Sequence, residues 1–218
     1  MAQASVAALR LYGVAAVESG QATSLADGTT LVHYRALAAI VEPSSYSVTN
    51  LDDEATAKYL NVLEAAYSHS AVLPAPPGTV FQSHGTLTRW LELHYFTLTQ
   101  AMGVVEGHGE ARVLITRNPA AEQPDASAGE IKEKAKELAA VASDSMRVLR
   151  GQAAATISLP VADDDTTVVA HASFLVDMER WGMFSELVAK EDQRNTELDF
   201  RLSGPWPPYD FVRMEFGG

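Results

Sequence analysis

The chain contains no cysteine. That excludes disulfides, thiol nucleophiles and cysteine-ligated metals, and it is the usage expected in a reducing compartment. Basic residues are scarce: 16 Lys and Arg stand against 28 Asp and Glu, a net charge of −12. So acidic a chain is repelled by nucleic acid and by anionic lipid headgroups, and neither is expected as a partner. No window is long and apolar enough to span a bilayer. Met1 to Ser5 lack the basic region of a signal peptide, and Arg10 interrupts the apolar stretch that follows. The expectation is a soluble, cytoplasmic protein.

Reactive constellations are missing too. There is no Gly-x-Ser-x-Gly, and no two of the six histidines stand at i, i+4 around a glutamate. Ser68 and His69 are neighbours on a predicted helix, where adjacent side chains diverge by about 100° and do not make a dyad by adjacency. Gly103, Gly107 and Gly109 follow a helix instead of preceding one and lack the Lys of a phosphate loop. Asp163-Asp164-Asp165 has neither the central glycine nor the closing glutamate of a calcium loop, and reads as a solvated hairpin turn. No catalytic residue, metal ligand or cofactor site is expected.

What is present is a 47% hydrophobic chain of 218 residues, enough for two small cores. Val6 to Val17 reads as a buried strand. Two short strands follow within Thr30 to Val41, then a helix capped from Asn50, Asp52 or Asp53 with Ala55, Tyr59, Val62, Leu63 and Ala66 on one face. Prolines 74, 76 and 77 demote the next stretch to an edge or crossing before a short strand at Phe81. A second helix after Gly85-Thr86 places Leu87, Trp90, Leu91, His94, Leu98 and Met102 on its apolar face, and Glu110 to Thr116 is a strand. That order predicts an N-terminal ferredoxin-like α+β domain over 1–118, an antiparallel sheet with its helices on one face.

Residues 119–126 are the predicted linker. Ser127 and Glu130 have the spacing of a capping box for a helix to about Arg150. Two strands, a helix through Trp181 and Phe184, and a closing strand to Leu202 complete a second α+β domain over 127–218. The closing strand runs into Gly204-Pro205-Trp206-Pro207-Pro208-Tyr209, where proline rings remove backbone donors and hold the chain in one path. Rigid rings provide large contact area at small entropy cost. Pro74, Phe81, Trp181, Phe184, Pro205, Trp206, Pro207, Pro208, Tyr209 and Phe211 are therefore the partner-binding candidates. The competing reading is an enzyme or small-molecule binder with a cleft between the two units, for which His69, His94 and Glu110 are the available groups.

Gly204 to Tyr209, with Leu198 to Leu202 before it and Phe211-Val212 after, resembles the C-terminal signature of the gas vesicle protein F/L family. Tyr12-Gly13-Val14, Leu37 to Val41, Val72-Leu73-Pro74, Gly78 to Phe81 and Ser173 to Asp177 resemble further family stretches in the same order. The resemblance implies an accessory or minor structural protein of gas vesicles, the gas-filled protein shells used for buoyancy. It implies partners among the hydrophobic shell protein and other vesicle accessory proteins, and neither enzymatic activity nor a cofactor.

Overall fold

The apolar run near the N-terminus forms β1 (Ala8–Ala16), the central strand of the first sheet. The structure is a computed structural model that describes residues 8–17, 24–26, 28–46, 52–121, 127–161 and 167–212. β1 pairs antiparallel with β3 (Leu37–Ser44), which pairs in turn with β2 (Thr30–Tyr34). On its other side β1 takes β4 (Val72–Pro74) and, further along, β5 (Val80–Phe81). The two-residue turn between β2 and β3 holds Arg35 at φ 56°, with its guanidinium over the Tyr34 and Tyr95 rings.

Two helices cover this sheet. α1 (Asp53–Tyr67) is capped by Asp52, whose carboxylate accepts the Ala55 N–H at 2.8 Å. α2 (His84–Val105) begins two residues before Thr86, because Ser83 and Thr86 satisfy each other's backbone N–H in a capping box. α1 buries Tyr59, Val62, Leu63 and Ala66 against Ile40, Leu31 and Val72, whereas α2 packs on Ala39, Val41, Val32 and Leu73. Successive strand residues point to opposite faces, so the helices lie on opposite faces of the sheet. This corrects the expected one-sided, ferredoxin-like arrangement of the N-terminal unit. The physical reason is in β3: Leu37 to Val41 are all buried, the continuous pattern of a strand covered on both sides.

β6 (His108–Arg117), expected to end the first domain, is central to a second sheet of order β7-β8-β6-β9. Its partners are β8 (Val168–Asp177) and β9 (Leu198–Trp206), with β7 (Ala155–Ser158) at the edge. α3 (Ala128–Arg150) and α4 (Trp181–Arg194) pack on one side of it. The predicted Ser127–Glu130 capping box is present, and Asp177 caps the short 3-10 turn Met178–Arg180 that leads into α4. Ala111, Val113 and Ile115 of β6 join Ala172, Phe174 and Val176 of β8 and Leu198 of β9 beneath Leu138, Leu149, Phe184 and Val188. The β-α-β-β-α-β order with helices on one face thus belongs to the second unit.

The chain divides into one unit of Met1–Glu106 with Pro207–Gly218 and another of Gly107–Trp206. The division falls at Glu106 and again at Trp206, not at the predicted linker 119–126. The reason is strand pairing: β6 is hydrogen-bonded to β8 and β9, and among the described residues no strand of the first sheet pairs with it. Pro119–Ala121 is a 3-10 turn; 122–126 and the acidic turn at Asp163 to Asp165 lie outside the described residues.

Candidate functional site

The proline-aromatic segment is built on the end of β9. Opposite β6, Ser203 pairs with Arg112 and Trp206 with Glu110, so Gly204 and Pro205 together face the single residue Ala111 as a bulge. Gly204 has φ +119°, and a Cβ there would stand 2.5 Å from the Glu110 carbonyl oxygen and 3.0 Å from the Trp181 ring. Only glycine fits this corner. The Gly204–Pro205 peptide is cis. Ser203, Gly204 and Pro205 are exposed, Trp206 is half-buried, and its indole N–H donates to the Ser203 hydroxyl at 3.2 Å.

Beyond Trp206 the segment turns inward. Pro207 and Pro208 are buried, and the Tyr209 and Phe211 N–H groups donate to the Pro207 and Pro208 carbonyls. The Tyr209 ring lies 6.5 Å from that of Tyr59 in the α1 cluster, and Val212 packs into the α2 cluster. Tyr59 is itself anchored, its hydroxyl donating to the Ala75 carbonyl at 2.6 Å, and burial holds its phenol well above the ordinary value.

Of the ten candidates, Phe184 is 1% exposed and packs on Phe174 at 5.4 Å; Pro74, Pro207 and Pro208 are also buried. These four are core residues, closed to a partner in this state. Phe81, Trp181, Trp206, Tyr209 and Phe211 are half-buried, and only Pro205 is exposed. Proline and aromatic content marks rigidity; which rings point inward depends on contacts distant in sequence.

The groups of the competing enzymatic reading each have local work. Glu110 is fully buried, receives the Arg112 Nε–H at 2.7 Å and lies 3.5 Å from the Ser173 hydroxyl. His94 packs its ring on Trp90, centroids 5.1 Å apart. His69 and Ser68 do approach, with Ser68 Oγ 3.0 Å from His69 Nδ1, against the expectation from adjacency. Nδ1 also lies 2.8 Å from the Ala65 carbonyl, which only accepts, so Nδ1 carries the hydrogen and cannot take a serine proton. The pair caps the end of α1. Among the described residues no group of three His, Asp or Glu side chains is placed to hold a metal ion, and no helix is long and apolar enough to cross a membrane.

A further feature lies on α2. Leu93, Phe96 and Val104 face water on the side opposite the apolar face assigned to that helix. An open depression lined by His84, Thr88, Arg89, Glu92 and Leu93 adjoins them. The signal was available: no charged residue occurs from Leu93 to Val105.

Comparison with known proteins covers most of the chain. The model of the family described as gas vesicle synthesis protein GvpL/GvpF matches residues 8–213. Gas vesicle protein F1 of Halobacterium salinarum is 25% identical over 192 residues, 85% of this chain and 82% of that protein. Gas vesicle protein F of Haloferax mediterranei is 25% identical over 193 residues, 85% of this chain and 82% of its own. In fold, the crystal structure of GvpF from Anabaena sp. PCC7120 is similar with a TM-score of 0.74, at 17% identity, over 96% of this chain and 99% of that one. GvpF from Microcystis aeruginosa gives 0.73 at 19% identity, over 95% and 100%.

Proposed function

The chain belongs to the GvpL/GvpF family of gas vesicle synthesis proteins, and from that premise we propose that it is a non-catalytic assembly factor that binds the hydrophobic vesicle shell subunit in the cytoplasm. The observation that carries this reading is the family match over nearly all of the chain. Physical chemistry supports it. A shell subunit with a water-averse face aggregates before it assembles, and a soluble protein that covers part of that face lowers the concentration of free subunit. A net charge of −12 keeps such a complex dispersed and favours a basic partner segment. The second unit, with its split β-α-β order, is read as ferredoxin-like.

The exposed Pro205 corner and the accessible edge of Trp206 are the contact proposed at the C-terminal segment. The test is a pull-down of purified shell subunit by the full-length protein. Wild type captures it, and Trp206→Ala weakens capture about tenfold, the usual scale for an aromatic contact residue, with an unchanged circular dichroism spectrum. Undiminished capture by folded W206A removes this corner from the contact. Absence of capture by wild type removes the shell subunit as the partner.

A further inference from the structure

The second sheet ends at β9, and a side chain closes the outer edge of that strand at one point. The Asn118 N–H donates to the Glu197 carbonyl, and in the register that follows Asp199, Arg201 and Ser203 face β6 as hydrogen-bonded pairs. The alternation of an antiparallel ladder then turns the N–H and C=O of Phe200 and Leu202 outward, away from β6. The Phe200 N–H shows this directly, donating at 2.9 Å to Oδ1 of Asp192 in the last turn of α4. The Leu198 N–H donates to the Asn195 carbonyl. Of the outward donors at 198, 200 and 202, only that of Leu202 is left open.

An unpaired edge strand is a template for another strand, and proteins blunt such edges with bulges, prolines and charges. β9 has the bulge at Gly204 and Pro205, and Pro205 has no N–H. Before that corner, the central donor of the edge belongs to Phe200, and it is the one that Asp192 holds. An incoming strand cannot form its ladder across Phe200 while the carboxylate stays there.

Charge says what such a strand would be. Asp199 is half-buried and Arg201 exposed, both on the same face of β9, and neither takes part in an ion pair among the described residues. Let a second copy lie antiparallel along the edge with Phe200 opposite its own counterpart. Each Arg201 then stands directly across from the second copy's Asp199, at a Cα separation of about 4.5 Å. Opposite charges so placed stabilise a strand pair, and the two-fold axis makes the contact twice. The register centred on Arg201 instead sets arginine against arginine and is disfavoured. The general repulsion of two chains at −12 each is screened beyond about 8 Å at physiological salt. In the favoured register the central bonds need the Phe200 N–H of both copies, and Asp192 withholds both.

We infer that the outer edge of β9 is a latent strand-pairing surface for a second copy of this chain, and that Asp192 holds it shut by keeping the Phe200 N–H. The inference is independent of the assembly reading above.

The test is sedimentation equilibrium of the full-length protein in about 0.15 M salt, with amide exchange read at Phe200 and Leu202. Asp192→Asn is expected to keep the wild-type mass, because its amide oxygen still accepts the Phe200 N–H. Asp192→Ala loses the same charge and the acceptor as well, and is expected to self-associate at least about tenfold more tightly than D192N. The Leu202 amide should be protected only in the associated form. D192A/R201D should lose the association, and D192A/D199R/R201D, with the two charges exchanged, should regain it. A merely structural tie between α4 and β9 would instead lower the melting temperature of D192A and leave its mass unchanged. The inference is overturned by D192A at wild-type mass, by D192N associating as tightly as D192A, or by association that R201D does not touch. An associated state whose Leu202 amide exchanges as in the single chain overturns it too, since the contact would lie elsewhere. Should D192A fail to fold, the wild-type amides decide: Phe200 should exchange at least about tenfold more slowly than Leu202, and equal rates would mean that Asp192 guards nothing.

Discussion

Glu42 shows how one side chain ties a unit together. It stands near the end of β3, where its carboxylate receives Arg10 Nη1 of β1 at 3.3 Å and the Lys58 ammonium of α1. Burial by itself pushes the Glu42 carboxyl up. The Lys58 hydrogen bond and charge, with Arg10 adding to them, outweigh burial and leave it below the ordinary carboxylate value. A carboxyl depressed in the folded state stabilises the fold above its unfolded value, about 4.3 for glutamate, and the contribution fades as pH falls through the folded value. Glu42→Gln should therefore cost about 1.5 kcal/mol at pH 7, the scale of a hydrogen bond to a charged group. The cost should shrink between pH 7 and an acid pH below the depressed folded value. Urea unfolding of wild type and variant at the two pH values measures it, and a pH-independent difference would show that shape, not charge, is what Glu42 contributes.

Between elements, the joint of α3 and α4 is polar where most of their contact is apolar. Ser145 of α3 is fully buried; its hydroxyl donates to Glu191 Oε2 at 2.6 Å and accepts from Asn195 Nδ2 at 3.2 Å. Arg194 donates to the same oxygen, Glu191 Oε2, at 2.8 Å. Ser145→Ala leaves Glu191 short of a donor inside the core and should cost about 1–3 kcal/mol. Asp144→Ala, one residue away, breaks only an exposed pair with Arg147 and should cost no more than about 0.5 kcal/mol. Urea midpoints that rank the two the other way would remove the network as a stabilising device. Neither this joint nor the placement of β6 is legible in the sequence, because both depend on partners dozens of residues away: Glu191 for Ser145, and Val168 to Asp177 for β6. The α1 face, the Ser127–Glu130 capping box and the rigidity around Pro205 are legible because each is local. Most strands are legible locally, but Val72–Pro74, read as an edge or crossing, pairs with β1, and the grouping of strands into two sheets is not legible. Leu37 to Val41 marked a strand covered on both sides, a pattern that a one-sided sheet does not produce.

For the whole molecule, the second unit is an insertion into the first, since Gly107–Trp206 interrupts a unit that resumes at Pro207. The pairing of Glu110 with Trp206 explains why the interruption is tolerable: β6 and β9, which begin and end the inserted unit, are neighbours in one sheet. Its two ends therefore leave side by side, the geometry that domain insertion requires. The C-terminal segment then serves the first unit, with Tyr209 beside Tyr59 and Val212 in the α2 cluster. A chain stopped after Trp206 should consequently lose stability in the first unit and keep it in the second. Removing a half-buried tyrosine and a valine from packed positions is worth about 2–3 kcal/mol. Amide exchange across α1 and β1 to β4 should then quicken about a hundredfold, while protection in β6, β8 and β9 stays as in the full chain. Equal quickening in both units would mean that the segment supports the molecule as one body. No change in either would make Pro207 to Val212 a passive tail.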